Sequence, residues 1–371
     1  MNLGRNEKCW CGSGNKYKKC HLDRDQQKPI DQSEAHRVAN SSTSKKYCSV
    51  PDELKHECSR KIINAHTVSK GSSLLEIADD TNHVLGLKIS LAALQRGNGT
   101  LSPERIGINQ ASTFKGFCSV HDKDLFSCIE DEEFSKKADQ LFALAYRSLC
   151  KEVYVKGTNE DVVSLMKKSD KGKELLDQFF TQQLAADYGT GVNAAVQELG
   201  LLKNAFDRHL LKIESLNLCH LIVSSDEPCP VAVSSILCPD VDFEGNVIQN
   251  LSDLTVIPEC IIFNSFSSDG KGFIVFSWLS GLKIIDGFVA SLMNTDEGFF
   301  SAILRFFFSV SENIYISPTW WNSLTKVQRD NLTRRVMVGV NPFEPEESNY
   351  LCDDSVKFEG WNISSIEQLN F

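Results

Sequence analysis

Apolar and polar positions change rhythm several times along this chain. From Asp131 to Glu152 (DEEFSKKADQLFALAYRSLCKE) the residues Phe134, Ala138, Leu141, Phe142, Ala145 and Leu149 recur three and four apart. Acids lead and Lys/Arg follow, so the pattern predicts an amphipathic helix, with Glu130-Asp131-Glu132-Glu133 as favourable charges at its N-terminus. More helix is expected from Asn159 to Leu216, broken near Tyr188-Gly189-Thr190-Gly191, with Val192 to Leu216 as the longest piece. After Leu216 short β-rich runs take over: CHLIVS (219–224), PVAVSSI (230–236), CIIFNSF (260–266) and GFIVFSW (272–278). The last two flank Ser267-Ser268-Asp269-Gly270-Lys271 and predict a hairpin.

Apolar helices are expected again at 283–293 and 297–310, and Ser317-Pro318 supplies an N-cap and a first helical residue for another. Phe299-Phe300 and Phe306-Phe307-Phe308 make the second of these so apolar that it is either fully buried or a partner interface. Trp320-Trp321 reads as core or interface, and Ser224-Ser225-Asp226 at a strand end as a weak pocket lining. By contrast DRDQQKPIDQSEAHRVANSSTSKK (23–46) has almost no apolar periodicity and reads as a flexible linker.

A chain of 371 residues is long enough for more than one core. The pattern divides it into 1–28, a linker at 29–46, a module at 47–135, a helical region at 136–217 and an α+β domain at 218–371. The expected class is therefore α+β multidomain: a small N-terminal knuckle, a second cysteine-bearing module, a helical spacer and a C-terminal α+β domain. No apolar run reaches the length of a membrane span, and MNLGRNEKC offers no apolar leader, so a cytoplasmic protein with no membrane partner is expected. Net charge is −10, yet residues 1–28 carry seven Lys/Arg against three Asp/Glu. Only that end suits an anionic partner.

Thirteen cysteines spread over a long chain without a leader favour thiols and metal ligands over disulfides. Cys150, Cys219, Cys229, Cys238 and Cys260 lie in apolar runs and read as small buried hydrophobes. Cys9, Cys11, Cys20 and His21, spaced C-x-C-x8-C-H around Gly12-Ser13-Gly14, suit a closed tetrahedral Zn2+ site of structural type. The stretch CWCGSGNKYKKCH resembles the SEC-C motif, the zinc-binding tail of the bacterial preprotein translocase motor ATPase. Cys9, Cys11, Cys20 and His21 match its ligands, and Lys16, Tyr17, Lys18 and Lys19 match its remaining signature. The resemblance covers about the first 22 residues and implies docking of a protein partner.

Two further stretches, 47–78 and 106–133, offer Cys48, Cys58 and His66, then Cys118 and His121 in a C-x-x-H step. Two ligand pairs from separate segments can close one zinc site. Either Cys48 or His66 can complete it. A cysteine pair, an isolated histidine and a later C-x-x-H resemble zinc-containing HNH endonucleases. That resemblance implies a zinc-stapled ββα-like module at 47–135, with Cys48, Cys58, Cys118 and His121 as structural ligands, His66 as general base, Asn109 as the orienting amide and Asp122 at a position that binds Mg2+ or Mn2+. Ala65 replaces the family's usual acid, the interval from His66 to Cys118 is long, and Asn109 lies nine residues before Cys118. His83 reads as a turn residue.

Two functions follow as expectations. One is metal-dependent cleavage of DNA or RNA in a bacterial cell, with phage defence as a setting by analogy. The other is a non-catalytic zinc-dependent adaptor that docks a protein through its N-terminal motif.

Overall fold

The computed structural model describes residues 3–31, 33–35, 37–38, 44–87, 101–295, 298–338 and 349–370. They fall into two compact units, one made of 1–46 with 153–202 and the other of 47–152 with 203–371. This grouping cuts across the contiguous segments expected from the sequence, because two long helices each contribute to both units.

In the larger unit, β2 (His83–Gly86), β3 (Glu104–Gly107), β5 (Leu218–Ser225), β6 (Val231–Leu237), β7 (Ile261–Ser268), β8 (Lys271–Leu279), β9 (Ile314–Ile316) and β10 (Ile363–Asn370) form one antiparallel sheet. Their order is β10-β5-β8-β7-β6-β9-β2-β3. The module expected at 47–135 is thus not separate from the C-terminal domain, since β2 and β3 extend the same sheet through β9. His83 opens β2 instead of lying in a turn.

Alternation along the strands sorts the two faces. Leu221, Val223, Val233, Phe263, Ile274, Phe276 and Trp278 meet α4 (Lys283–Met293), α5 (Phe299–Val310), α6 (Pro318–Ser323) and α7 (Lys326–Val338) in one apolar core. α5 is buried along nearly its whole length, Arg305 included, whose Nε donates to the Leu351 carbonyl at 2.7 Å. The expected hairpin forms with a tighter turn than its sequence suggested. Only Asp269 and Gly270 separate β7 from β8, both at positive φ, as a two-residue turn between twisted strands requires. Trp321 is buried in the core, and Ser224 and Ser225 are buried within β5.

The opposite face is rich in small polar residues. Ser148 donates to Asn264 Oδ1 at 2.9 Å and pairs with Ser234, while Phe134 packs edge-on against Phe266 and Phe273. The segment 131–137 is not helical, so the acids at 131–133 do not cap a helix. α1 (Ser119–Glu130) ends before them and α2 (Ala138–Lys168) begins after them. Cys150, Cys219 and Cys229 are buried as expected. Cys238 and Cys260 instead form a disulfide, because Leu237 pairs with Ile261 and the next residues out lie side by side.

In the smaller unit, the second half of α2 pairs with α3 (Leu175–Leu210) as a helical hairpin. α3 passes through Gly189 and Gly191 without a break. A side chain at Gly189 would place its Cβ 3.1 Å from Val163 Cγ1, so this glycine serves close helix packing and not interruption. The turn falls at 169–174, where Gly172 has φ +75°. The region expected to be a loose linker is tied to the hairpin at both described ends: Gly172 N donates to Arg24 O at 3.0 Å, and the Tyr154 hydroxyl to Lys45 O at 2.7 Å. Its middle, 39–43, lies outside the described residues. No described helix is long and apolar enough to cross a membrane.

Candidate metal centres and the histidine beside them

Among the described residues, two groups bring their ligand atoms within 4.8 Å of one another: Cys9, Cys11, Cys20 and His21, and Cys48, Cys58, Cys118 and His121. Each is three thiols around one imidazole Nδ1. In the first, Cys9 and Cys20 Sγ lie 3.2 and 3.1 Å from His21 Nδ1. In the second, Cys48, Cys58 and Cys118 Sγ lie 3.6, 3.4 and 3.3 Å from His121 Nδ1. A tetrahedron built on Zn–S and Zn–N bonds of about 2.3 and 2.05 Å has sulfur-to-nitrogen edges of about 3.6 Å. Both clusters could therefore hold a zinc ion.

The first cluster is assembled locally. Gly12 and Gly14, both at φ +73°, turn the chain back so that Cys9 N donates to Asn15 O at 2.8 Å and Tyr17 N to Glu7 O at 2.8 Å. A single helical turn at Tyr17–Lys19 then presents Cys20 and His21. Burial pushes the Cys11 thiol up, but the Ser13 hydroxyl and amide outweigh it and bring it to about 7. Burial raises Cys20 to about 12.

The second cluster sits on a ββα unit. β1 (Ile62–His66) and β4 (Thr113–Cys118) pair antiparallel, with Ile62 opposite Cys118 and His66 opposite Thr113, and α1 follows directly. Cys118 is the N-cap of α1 and His121 lies in its first turn. Ser49 N donates to Gly116 O at 2.8 Å, which sets Cys48 beside β4, and the turn at Asp52–Glu57 delivers Cys58. Burial pushes the Cys118 thiol up, yet hydrogen bonds from the amides of His121 and Ser59 bring it down to about 6. Burial raises Cys58 to about 12. Cys48, and not its alternative His66, is the residue grouped with Cys58, Cys118 and His121.

His66 ends β1 and is half-buried. Its Nε2 lies 3.0 Å from the carbonyl of Ile108, and a carbonyl only accepts, so Nε2 carries the proton and Nδ1 a free lone pair. Burial holds its pKa below the ordinary histidine value, with Glu130 opposing and Arg147 and Lys70 reinforcing the shift. Asn109 does not orient this ring. Its Oδ1 accepts from Lys70 Nζ at 3.0 Å, and the backbone of its neighbour Ile108 does the orienting.

Asp122, half-buried on α1, is raised to about 6 by burial, with Arg147 opposing the shift and Glu130 reinforcing it. Glu130 accepts from Ser69 Oγ at 2.8 Å and from Arg147 Nη1. Sequence reasoning missed Arg147 and read Glu130 only as a charge at the start of the next helix. Arg147 lies on an amphipathic helix with nothing local to mark it.

The family model of the SEC-C motif matches residues 5–23. No curated protein and no solved structure matches the chain. The N-terminal stretch is thus a SEC-C motif with a cysteine and histidine cluster that could bind zinc.

Proposed function

We propose that this protein is a metal-dependent nuclease whose active unit is the zinc-stapled ββα of β1, β4 and α1. One observation carries the reading: a neutral His66 at the end of β1, its Nε2 held by the Ile108 carbonyl, with the charges of Glu130 and Arg147 acting both on it and on Asp122 of α1. An imidazole fixed in this tautomer can take a proton through Nδ1 from a water that attacks phosphorus. The bond from phosphorus to the leaving sugar oxygen then breaks. Asp122 is the group that would hold Mg2+ or Mn2+, which binds through one or two carboxylates together with substrate phosphate and offsets charge on the leaving oxygen. Glu130 is committed to Arg147 and Ser69, so Asp122 is the available ligand. Exposed Lys61, Lys70 and Lys123 are candidate contacts for the phosphate backbone of DNA or RNA.

The test is cleavage of plasmid DNA, single-stranded DNA and RNA with Mg2+ or Mn2+, by wild type and by a His66→Ala variant shown to retain zinc. Metal-dependent cutting should be lost in the variant by about 100-fold or more. Because the pKa of His66 is depressed, cutting should hold at pH 7 and fall only below the ordinary histidine value of about 6.5. Equal cutting by both proteins, or none by either, sinks the reading.

A second reading, a zinc-dependent adaptor, is favoured by the N-terminal motif, where Arg5, Lys8, Lys16, Lys18 and Lys19 lie along the motif and all five are exposed. It would dock an acidic protein surface and needs no chemistry at His66.

A further inference from the structure

The first cluster reaches beyond its motif. With Nδ1 turned to the sulfurs, His21 points Nε2 at Asp170 Oδ2, 2.7 Å away. Asp170 stands in the turn between α2 and α3, and its side chain has no solvent exposure. The carboxylate is fully used: Arg24 Nε donates to Oδ1 at 2.8 Å, and Gln182 Nε2 to Oδ2 at 2.7 Å. A carboxylate behind the distal nitrogen of a ligating histidine fixes its tautomer and ring angle and makes the metal-binding nitrogen more basic.

Three other contacts converge on the same place. Trp10 stacks on Phe179 with ring centroids 4.0 Å apart. Arg24 Nη2 donates to Lys167 O at 3.1 Å. A Cβ at Gly172 would sit 2.7 Å from Pro29 and 2.9 Å from the Gln27 carbonyl, so the chain after the motif lies directly against the hairpin turn.

We propose that Asp170 is the outer carboxylate of the N-terminal metal centre, and that zinc at Cys9, Cys11, Cys20 and His21 locks the turn of the helical hairpin, residues 167–182, onto the motif. The argument is independent of the nuclease reading. Three thiols and an imidazole converge stably only around a cation, and ligand binding of this kind is itself folding free energy. When the metal leaves, the ring is released and the buried Asp170 loses one of its three donor residues, keeping Arg24 and Gln182. Asp170 is a positioning residue, touching no metal itself.

Two readouts on the full chain test this. Zinc release to a chelator should be about 10-fold faster in Asp170→Asn and up to about 100-fold faster in Asp170→Ala. Gln182→Ala, which removes a different bond to the same carboxylate, should change release by less than about threefold if Asp170 acts through His21. Hydrogen exchange supplies the second readout: chelation or Cys20→Ser should raise exchange at 5–24 and at 167–182 together. Unchanged zinc release in a folded Asp170→Ala, equal effects of Gln182→Ala and Asp170→Ala, or a hairpin turn indifferent to zinc would each overturn the proposal.

Discussion

The two cysteine and histidine clusters have the same ligand set but different supports. Around His21 the distal nitrogen meets a fully buried carboxylate at 2.7 Å. Around His121 the distal nitrogen is buried without a hydrogen-bond partner among the described residues, and a carboxylate on the half-exposed side chain of Glu57 stands 4.0 Å off. The ligands themselves reverse this order. Cys118 is fully buried at the junction of β4 and α1, Cys48 and His121 are buried with it and Cys58 is half-exposed, whereas the first cluster buries Cys9 and His21 and leaves both Cys11 and Cys20 half-exposed. One centre is held from outside by a distant carboxylate, the other by the strands and helix that carry its ligands. Outer-shell substitutions should therefore matter at the first centre, and ligand substitutions should cost most structure at the second.

The largest expected effect sharpens that contrast. Cys118→Ser should destabilise the larger unit by more than about 4 kcal/mol, because it removes a metal staple from a buried junction. Cys20→Ser should leave the thermal transition of the sheet in place. A sheet that melts equally early in both variants would break the comparison.

Acid should act mainly on the larger unit. Burial lowers His220, which pairs with Ser277 inside the sheet, to about 4, and burial lowers His66 in the same direction. A histidine with a depressed folded pKa contributes stability that is complete above its unfolded value near 6.5 and is lost as pH falls through the folded one. Between pH 6.5 and 4 the shift at His220 is equivalent to about 3 kcal/mol. Denaturant midpoints measured across that window should fall, and His220→Asn should flatten the slope.

Smaller effects test the supports. Glu57→Ala should change zinc release from the second centre by less than about twofold, since an exposed carboxylate at that distance is well screened. A change as large as that of Asp170→Ala would erase the asymmetry. At the bottom of the scale, Gly191→Ala meets no atom within 4 Å inside α3 and should raise the melting temperature of the smaller unit, worth about 0.5–1 kcal/mol. Gly189→Ala should forfeit that gain against Val163.

What the sequence determined by itself was local. Cys9, Cys11, Cys20 and His21 are legible because their whole loop closes within 13 residues, and glycines mark the turn. The four strand runs and α4 to α6 are legible because alternation and helical spacing record which side of each element is buried. Tertiary structure decided whatever joins distant segments. Asp170 serves His21 from 149 residues away. β2 and β3 complete a sheet begun more than a hundred residues later, and Cys238 meets Cys260 because neighbouring strands share a register. Gly189 broke no helix because the deciding neighbour was Val163 on another element. Periodicity reports the face that a residue turns inward. The identity of what that face meets is set by packing between elements, and no local pattern carries it.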